Sequence, residues 1–483
     1  MSVRKEVFSG MAYTAVAKYS GVFISLAITA VLARLILPED FGVIALASVV
    51  IGFFGLLTDI GIAPAIVQFK DLSKDDLSRI FSFTFWIGVL LSLVFFSLSW
   101  VIADYYQSED LIIVCQLLSV TLFFSAITIV PNGLLLRDKQ FKFIAMRTLI
   151  VQILSGGIAV AMAFKGYGIF ALIASPLCSR TLMFILSFRK FPQKLQFTLG
   201  LVSIKKIMAY TLYQFMFNLI NFFLRTFDTL LIGKVLGMNS LGYYEKSYRL
   251  MTLPLENITH VIGPVLHPIF SDFQDDKMRM ARAYEKAIKA IAFLSFPLSV
   301  FLHFSAAEIV LLFFGDQWVK SISVFEILAI TVGAQVILST SGPIFQAINA
   351  TRMMFISGLI SAATTIPAIA IGVYFYQSLD AVAYGILIAF SLNFLINYFL
   401  MYRYIFKLPL SDFYKQLWSP ALLAAILVGT FMLLPQDIVE AHKMLNLCYN
   451  GVIFVGITVL YIHLTGAYNI KEMLKAVRSK IGR

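Results

Sequence analysis

MAYTLYQFMFNLINFFLRTFDTLLIG, residues 208–233, is apolar enough to cross a bilayer yet carries a polar stripe. Gln214, Asn218, Asn221, Arg225 and Asp228 recur at spacings of 4, 3, 4 and 3, which place them on one face of an α-helix. Phe215, Phe217, Leu219, Phe222, Phe223 and Leu230 are among the side chains on the other faces. An arginine in the middle of such a span costs about 2.5–3.5 kcal/mol to insert, and it normally faces a protein interior or a watery cavity. The stripe therefore predicts a polar cavity inside a membrane and poses the question of what anion it receives.

The remainder of the 483 residues fits that setting. Hydrophobic residues make up 60% and charged residues 13%, about half the charge of a soluble domain. The same reading finds fourteen apolar spans. Six lie near 12–36, 42–66, 80–103, 111–136, 147–165 and 168–188. Six more lie near 208–233, 247–268, 287–314, 322–347, 353–375 and 381–402, and two near 417–434 and 445–465. Pro297 suggests a kink in the 287–314 span. The net charge of +12 does not indicate nucleic acid, because the basic residues fall in short segments between spans. With the N-terminus inside, 28 of the 38 Lys and Arg fall in inward segments, Arg137, Lys139, Lys142 and Arg147 among them, and six fall outward. That bias puts both termini in the cytoplasm. Residues 196–207 and the tail 470–483 read as amphipathic pieces at the inner surface, and Ser271-Asp272 as a helix cap. Cys115, Cys178 and Cys448 lie far apart, without metal or redox spacing. The first span is too long for a cleaved signal.

The chain also repeats itself. Met-Ala-Tyr-Thr occurs at 11–14 and again at 208–211, and Arg34 and Gly42 recur as Lys234 and Gly242, offsets of 197 and 200 residues. Each offset contains six spans, so the halves share one orientation, as in transporters that bind substrate between parallel repeats near mid-membrane. The expected fold is all-α: two parallel six-helix bundles around a V-shaped central cavity, plus two C-terminal helices. The divisions fall at 1–195, 196–407 and 408–483.

The repeat pairs the 208–233 span with the first span, where Lys18, Ser25 and Thr29 share a sector. Arg180 adds a third cation. Arg225, Lys18 and Arg180 are the candidate anion ligands, and Gln214, Asn218, Asn221, Ser25 and Thr29 the candidate polar lining. Asp228, Asp59, Glu256 and His260 are candidates for charge balance or for coupling to Na+ or H+. A blander account is that Arg225 pairs with Asp228 three residues on, and Lys18 with Asp59. No nucleotide-binding glycine loop, metal-ligand cluster or nucleophile elbow is present in the sequence, so neither an enzyme nor a cofactor is expected.

Specific segments carry a family resemblance. VLARLILPEDFG (31–42), FGLLTDIG (54–61) with AIVQ (65–68), and LGYY (241–244) followed by Tyr248-Arg249-Leu250 resemble bacterial polysaccharide transporters. These are the Wzx-type lipid-linked oligosaccharide flippases of the multidrug/oligosaccharidyl-lipid/polysaccharide exporter superfamily, and the chain is most similar to the colanic-acid-exporter-like branch. The resemblance implies alternating access in a bacterial inner membrane. It implies transfer of an undecaprenyl-pyrophosphate-linked glycan for O-antigen, capsule or exopolysaccharide synthesis, by a monomer whose partners are membrane lipids, a polysaccharide polymerase and glycosyltransferases. The rivals are a drug and toxin extruder, which favours acidic cavity groups, and a membrane glycosyltransferase or polymerase, for which the outer loops are too short.

Overall fold

The computed structural model describes residues 3–59, 61–197, 208–271, 276–348, 350–434 and 443–466, with side chains at all of these except 3–12, 208–214, 216–217, 220, 260–269, 271 and 351. Every regular element among the described residues is helical. In order they are α1 (Val3–Leu35), α2 (Pro38–Asp59), α3 (Ile62–Gln68), α4 (Lys74–Tyr106), α5 (Asp110–Arg137), α6 (Phe141–Phe164), α7 (Ile169–Lys190), α8 (Met208–Val235) and α9 (Gly237–Ser271). Then follow α10 (Lys277–Phe304), α11 (Ala306–Phe314), α12 (Lys320–Leu338), α13 (Ser341–Ala347), α14 (Thr351–Tyr374), α15 (Leu379–Leu400), α16 (Leu410–Leu433) and α17 (Lys443–Thr465). Twelve stretches among the described residues are long and apolar enough to span a bilayer, where a backbone must satisfy its own hydrogen bonds. They correspond to twelve of the expected spans. The other two, 208–233 and 247–268, coincide with the 28-residue α8 and the 35-residue α9.

The helices form two compact units, Met1–Glu245 and Lys246–Arg483. In the first, α1 lies on α6, α4 on α5, and α5 touches α2, α3 and α7. A Cβ on Gly156 of α6 would overlap Ile28 of α1, and Gln152 donates to the Gly21 carbonyl at 2.7 Å. The second span is broken. α2 ends at Asp59, Gly61 takes φ +77°, and α3 resumes with the Ala63 N–H donated to Asp59 Oδ1 at 3.3 Å. Around α3, Ile62, Ile66, Phe81, Ile127 and Leu134 form an apolar core.

The two glycines aligned by the repeat meet directly. A Cβ on Gly42 would overlap the Met238 carbonyl oxygen, and one on Gly242 would overlap the Pro38 carbonyl oxygen. The turn that opens α2 and the turn that opens α9 are thus packed backbone to backbone, which only glycine permits. Beside this contact Lys234 donates to the Tyr105 carbonyl.

In the second unit α10 packs on α12 and α16, and α15 on α12 and α14. The 287–314 span breaks at Ser305, between α10 and α11, and Pro297 stays inside α10. Two serines explain the difference. Ser299 accepts the Gly333 N–H at 2.6 Å and Ser295 donates to the Gly333 carbonyl at 3.3 Å, which locks α10 to α12 around the proline. The cap of α10 is Asp276, accepting the Arg279 N–H at 2.9 Å, whereas Ser271 still belongs to α9. Asp276 leaves two residues between itself and Arg279, the reach a carboxylate cap needs. A buried tyrosine hub joins α10, α12 and α15: Tyr284 bonds Thr340 at 2.8 Å and Tyr398 at 3.0 Å.

Candidate functional site

A cavity of about 500 Å³ opens inside the first unit, walled by α2, α3, α5 and α7. On α2 the lining runs Ser48, Gly52, Gly55, Thr58 and Asp59. No atom lies within 4 Å of a Cβ built on Gly55. On α5 the lining runs Thr121, Ser125, Thr128 and Asn132, and α7 contributes Pro176 and Arg180. The broken second span explains the position of Asp59, because a chain that stops at Asp59 and restarts at Ile62 leaves that carboxylate at a helix junction on the wall.

Two of the residues predicted from sequence meet here, Asp59 and Arg180. Asp59 is half-buried and Arg180 exposed. Lys18, Ser25, Thr29, Asn218, Asn221, Arg225 and Asp228 are not part of this lining. Lys18, Ser25 and Thr29 are half-buried on α1, and among the described residues no ion pair joins Lys18 to Asp59. Asn218 and Asn221 are half-buried on α8. Glu256 pairs with Arg249 at 3.4 Å. The side chains of Gln214 and His260, the cap residue Asp272 and most of the two amphipathic segments lie outside the described residues.

The suggested pairing of Arg225 with Asp228 does not form. Arg225 is exposed, whereas Asp228 is 8% exposed. Asp228 Oδ2 accepts the Tyr244 hydroxyl at 2.6 Å, and Oδ1 accepts the Thr229 N–H at 2.8 Å. Among the described residues no ion pair joins Arg225 to Asp228. The carboxylate thus ties α8 to α9 through the Tyr244 hydroxyl and accepts the Thr229 N–H within α8, and it does not neutralise the guanidinium three residues away. α8 reaches the back of the cavity wall, where Phe222 packs on Gly52 and Phe53 contacts Phe222 and Phe223.

Sequence reasoning missed two features. The α5 residues Thr121, Ser125, Thr128 and Asn132 have spacings of 4, 3 and 4, the pattern that exposed the 214–228 stripe. The signal was present but weak, because serine and threonine in a span usually satisfy themselves on their own helix. The second is Arg147, read as a loop charge but 6% exposed. Its guanidinium donates to the Ser187 hydroxyl on α7 and, at 3.1 Å, to Asn132 Oδ1 on α5. Its Nε is buried with no hydrogen-bond partner among the described residues.

The comparisons with known proteins agree with this architecture. The teichuronic acid biosynthesis protein TuaB of Bacillus subtilis (strain 168) is 25% identical over 88% of this chain and 88% of its own length. The lipopolysaccharide biosynthesis protein WzxC of Escherichia coli (strain K12) is 26% identical over 87% of this chain and 86% of its own. Among solved structures, the lipid II flippase MurJ in its inward closed conformation superposes with TM-score 0.72 at 16% identity, covering 94% of this chain and 98% of that one. At that identity the likeness establishes the fold, a multi-pass helical transporter fold. The family model described as polysaccharide biosynthesis protein matches residues 31–323, and the chain belongs to that family.

Proposed function

We propose that the protein translocates an undecaprenyl-pyrophosphate-linked oligosaccharide across the bacterial cytoplasmic membrane by alternating access, with both termini in the cytoplasm. The observation that carries this reading is a polar cavity, holding Arg180 and a hydroxyl-lined helix face, within helices whose outer surfaces are apolar. A cavity of that kind suits a head group that is anionic at its link and hydroxylated beyond it. Arg225, Lys18 and Arg180 are the proposed pyrophosphate ligands, since guanidinium groups grip phosphate oxygens in pairs where water is scarce. The half-buried asparagines and hydroxyls of α1 and α8 meet the sugars. The functional halves follow the repeat, 1–195 and 196–407, with 408–483 appended. The names of the relatives, which concern lipopolysaccharide and teichuronic acid synthesis, and that of the lipid II flippase support this substrate class.

The test is reconstitution in vesicles loaded with an undecaprenyl-pyrophosphate-linked oligosaccharide. Arg225→Ala removes an exposed cation that has no ion-pair partner among the described residues, so the protein should fold and elute normally while flipping falls at least tenfold. Wild-type flipping by that variant removes Arg225 from the pyrophosphate role. Absence of flipping by the wild-type protein overturns the substrate class.

A further inference from the structure

The hydrogen-bond directions in the first unit's cavity divide the labour between its walls. Thr121 donates its hydroxyl proton to the Leu118 carbonyl at 2.6 Å, Ser125 to Thr121 at 2.8 Å, and Thr128 to Phe124 at 2.6 Å. Thr58 does the same to Gly55 at 2.7 Å. A hydroxyl has one proton to give, so each of these retains only lone pairs for a guest. Asp59 adds acceptor oxygens. The polar groups of the α2 and α5 wall, set among Ile44, Ile51, Leu118, Leu122 and Ile129, are therefore mainly acceptors, the exposed Ser48 hydroxyl excepted, and they repel phosphate oxygens and invite donors.

Asn132 closes that stripe with the opposite polarity. Arg147 has no acceptor atom, so the asparagine atom facing it must be the carbonyl oxygen. The Asn132 amide NH₂ is left as a donor at the edge of the cavity, and Arg180 and the Ser48 hydroxyl are further donors on the lining. Arg147 is in turn fixed by Ser187 on α7, whose hydroxyl donates to the Met183 carbonyl and so offers Arg147 a lone pair. A buried cation is costly, and this one lies off the cavity lining; what it does is set the orientation of Asn132.

We infer that this cavity is a sugar-reading subsite: the hydroxyls of Thr58, Thr121, Ser125 and Thr128 and the Asp59 carboxylate accept from glycan hydroxyls, and Asn132, oriented by the positioning residue Arg147, donates to a glycan oxygen. The inference rests on the lipid-linked glycan reading and deepens it by assigning the sugar to the α2 and α5 wall of the cavity whose α7 wall carries Arg180, a proposed pyrophosphate ligand. A pyranose presents several hydroxyl donors in a small volume, and a pyrophosphate diester presents none. The acceptor wall thus discriminates by the number of donors a ligand carries. It requires no particular sugar.

The experiment measures binding by the purified full-length protein of two probes, undecaprenyl pyrophosphate and undecaprenyl-pyrophosphoryl hexose. The wild-type protein should bind the hexose-bearing lipid about tenfold more tightly or better. The triple variant Thr121→Val, Ser125→Ala, Thr128→Val keeps side-chain size at the two threonines and removes acceptors. It should lose that difference while binding the bare lipid as before. Asn132→Asp gives Arg147 a carboxylate and removes the amide donor. It should unfold at the same temperature as wild type or higher, yet lose at least threefold of the hexose-dependent gain, which a merely structural role would not produce. Equal wild-type affinity for the two probes, or a hexose preference that survives both variants, overturns the subsite and leaves the flippase reading standing. Failure of the wild-type protein to bind either probe overturns the flippase reading and the subsite with it.

Discussion

Asp228 shows how much a single buried oxygen pair decides. Its two carboxylate oxygens accept from the Tyr244 hydroxyl and the Thr229 amide. An asparagine supplies one acceptor and turns two protons toward the remaining donor. Asp228→Asn should therefore destabilise the protein by about 1–3 kcal/mol, the cost of a buried group left unsatisfied. It should lower the midpoint of thermal unfolding in detergent. Tyr244→Phe should cost less, and the two changes together less than their sum, because they break one bond. Additive losses would show that the pair is not coupled. This role was hidden in the sequence, where Asp228 stands three residues from Arg225 and a local pair was the simplest account. Helical spacing gave the face but not the neighbour, since Tyr244 arrives from another helix. Arg147 was hidden differently. Its position six residues into a helix, among Arg137, Lys139 and Lys142, matched a topological charge. Only the convergence of Asn132 and Ser187 identifies it as buried. Arg180 and Asp59, by contrast, were both legible as intramembrane charges, and the fold brings them to one cavity.

At the scale of elements, the spans were legible because each must be a self-satisfied apolar helix. Their interruptions were less so. A proline is visible in a sequence, but the break in the ninth span falls at Ser305, because Ser295 and Ser299 hold the segment around Pro297 to Gly333. The most demanding junction between elements is the contact of the α2 and α9 turns. The repeat marked Gly42 and Gly242 as equivalent, and the fold sets them against each other's turn. Any Cβ there meets a backbone carbonyl oxygen rather than the end of a flexible side chain. Gly42→Ala and Gly242→Ala should each cost about 3 kcal/mol or more, an overpacking penalty that neither helix can relieve by a rotamer change. Gly237, with φ +82° and open space around it, serves as the comparison. Gly237→Ala meets only backbone strain and should cost about 1 kcal/mol. Thermal unfolding of the three variants in one detergent checks the ranking, and equal losses would mean that the contact is not close-packed.

At the scale of the whole molecule, the fold leaves the cargo undecided. A protein that flips lipid II shares it at 16% identity, and a fold hosts many functions. A guest meets the cavity lining rather than the scaffold, so the decisive perturbation is one that occupies the cavity and spares the scaffold. Gly55 allows it. It lies on the α2 wall, and a Cβ there meets nothing within 4 Å. Replacing a helix-interior glycine removes its entropic penalty, worth roughly 0.5–1 kcal/mol. Gly55→Trp should therefore leave the unfolding midpoint unchanged or slightly raised while it fills part of the 500 Å³ space. Flipping in reconstituted vesicles should fall at least tenfold. Gly429→Trp on α16 is the matched control, because that glycine also has open space around it and lies outside the cavity lining. It should fold and transport as wild type. Loss of flipping in both variants would point to a general effect of the bulky residue. Loss confined to Gly55→Trp, in a protein that melts no earlier than wild type, places the glycan's path through this cavity. Undiminished flipping by Gly55→Trp would take the cavity off the path.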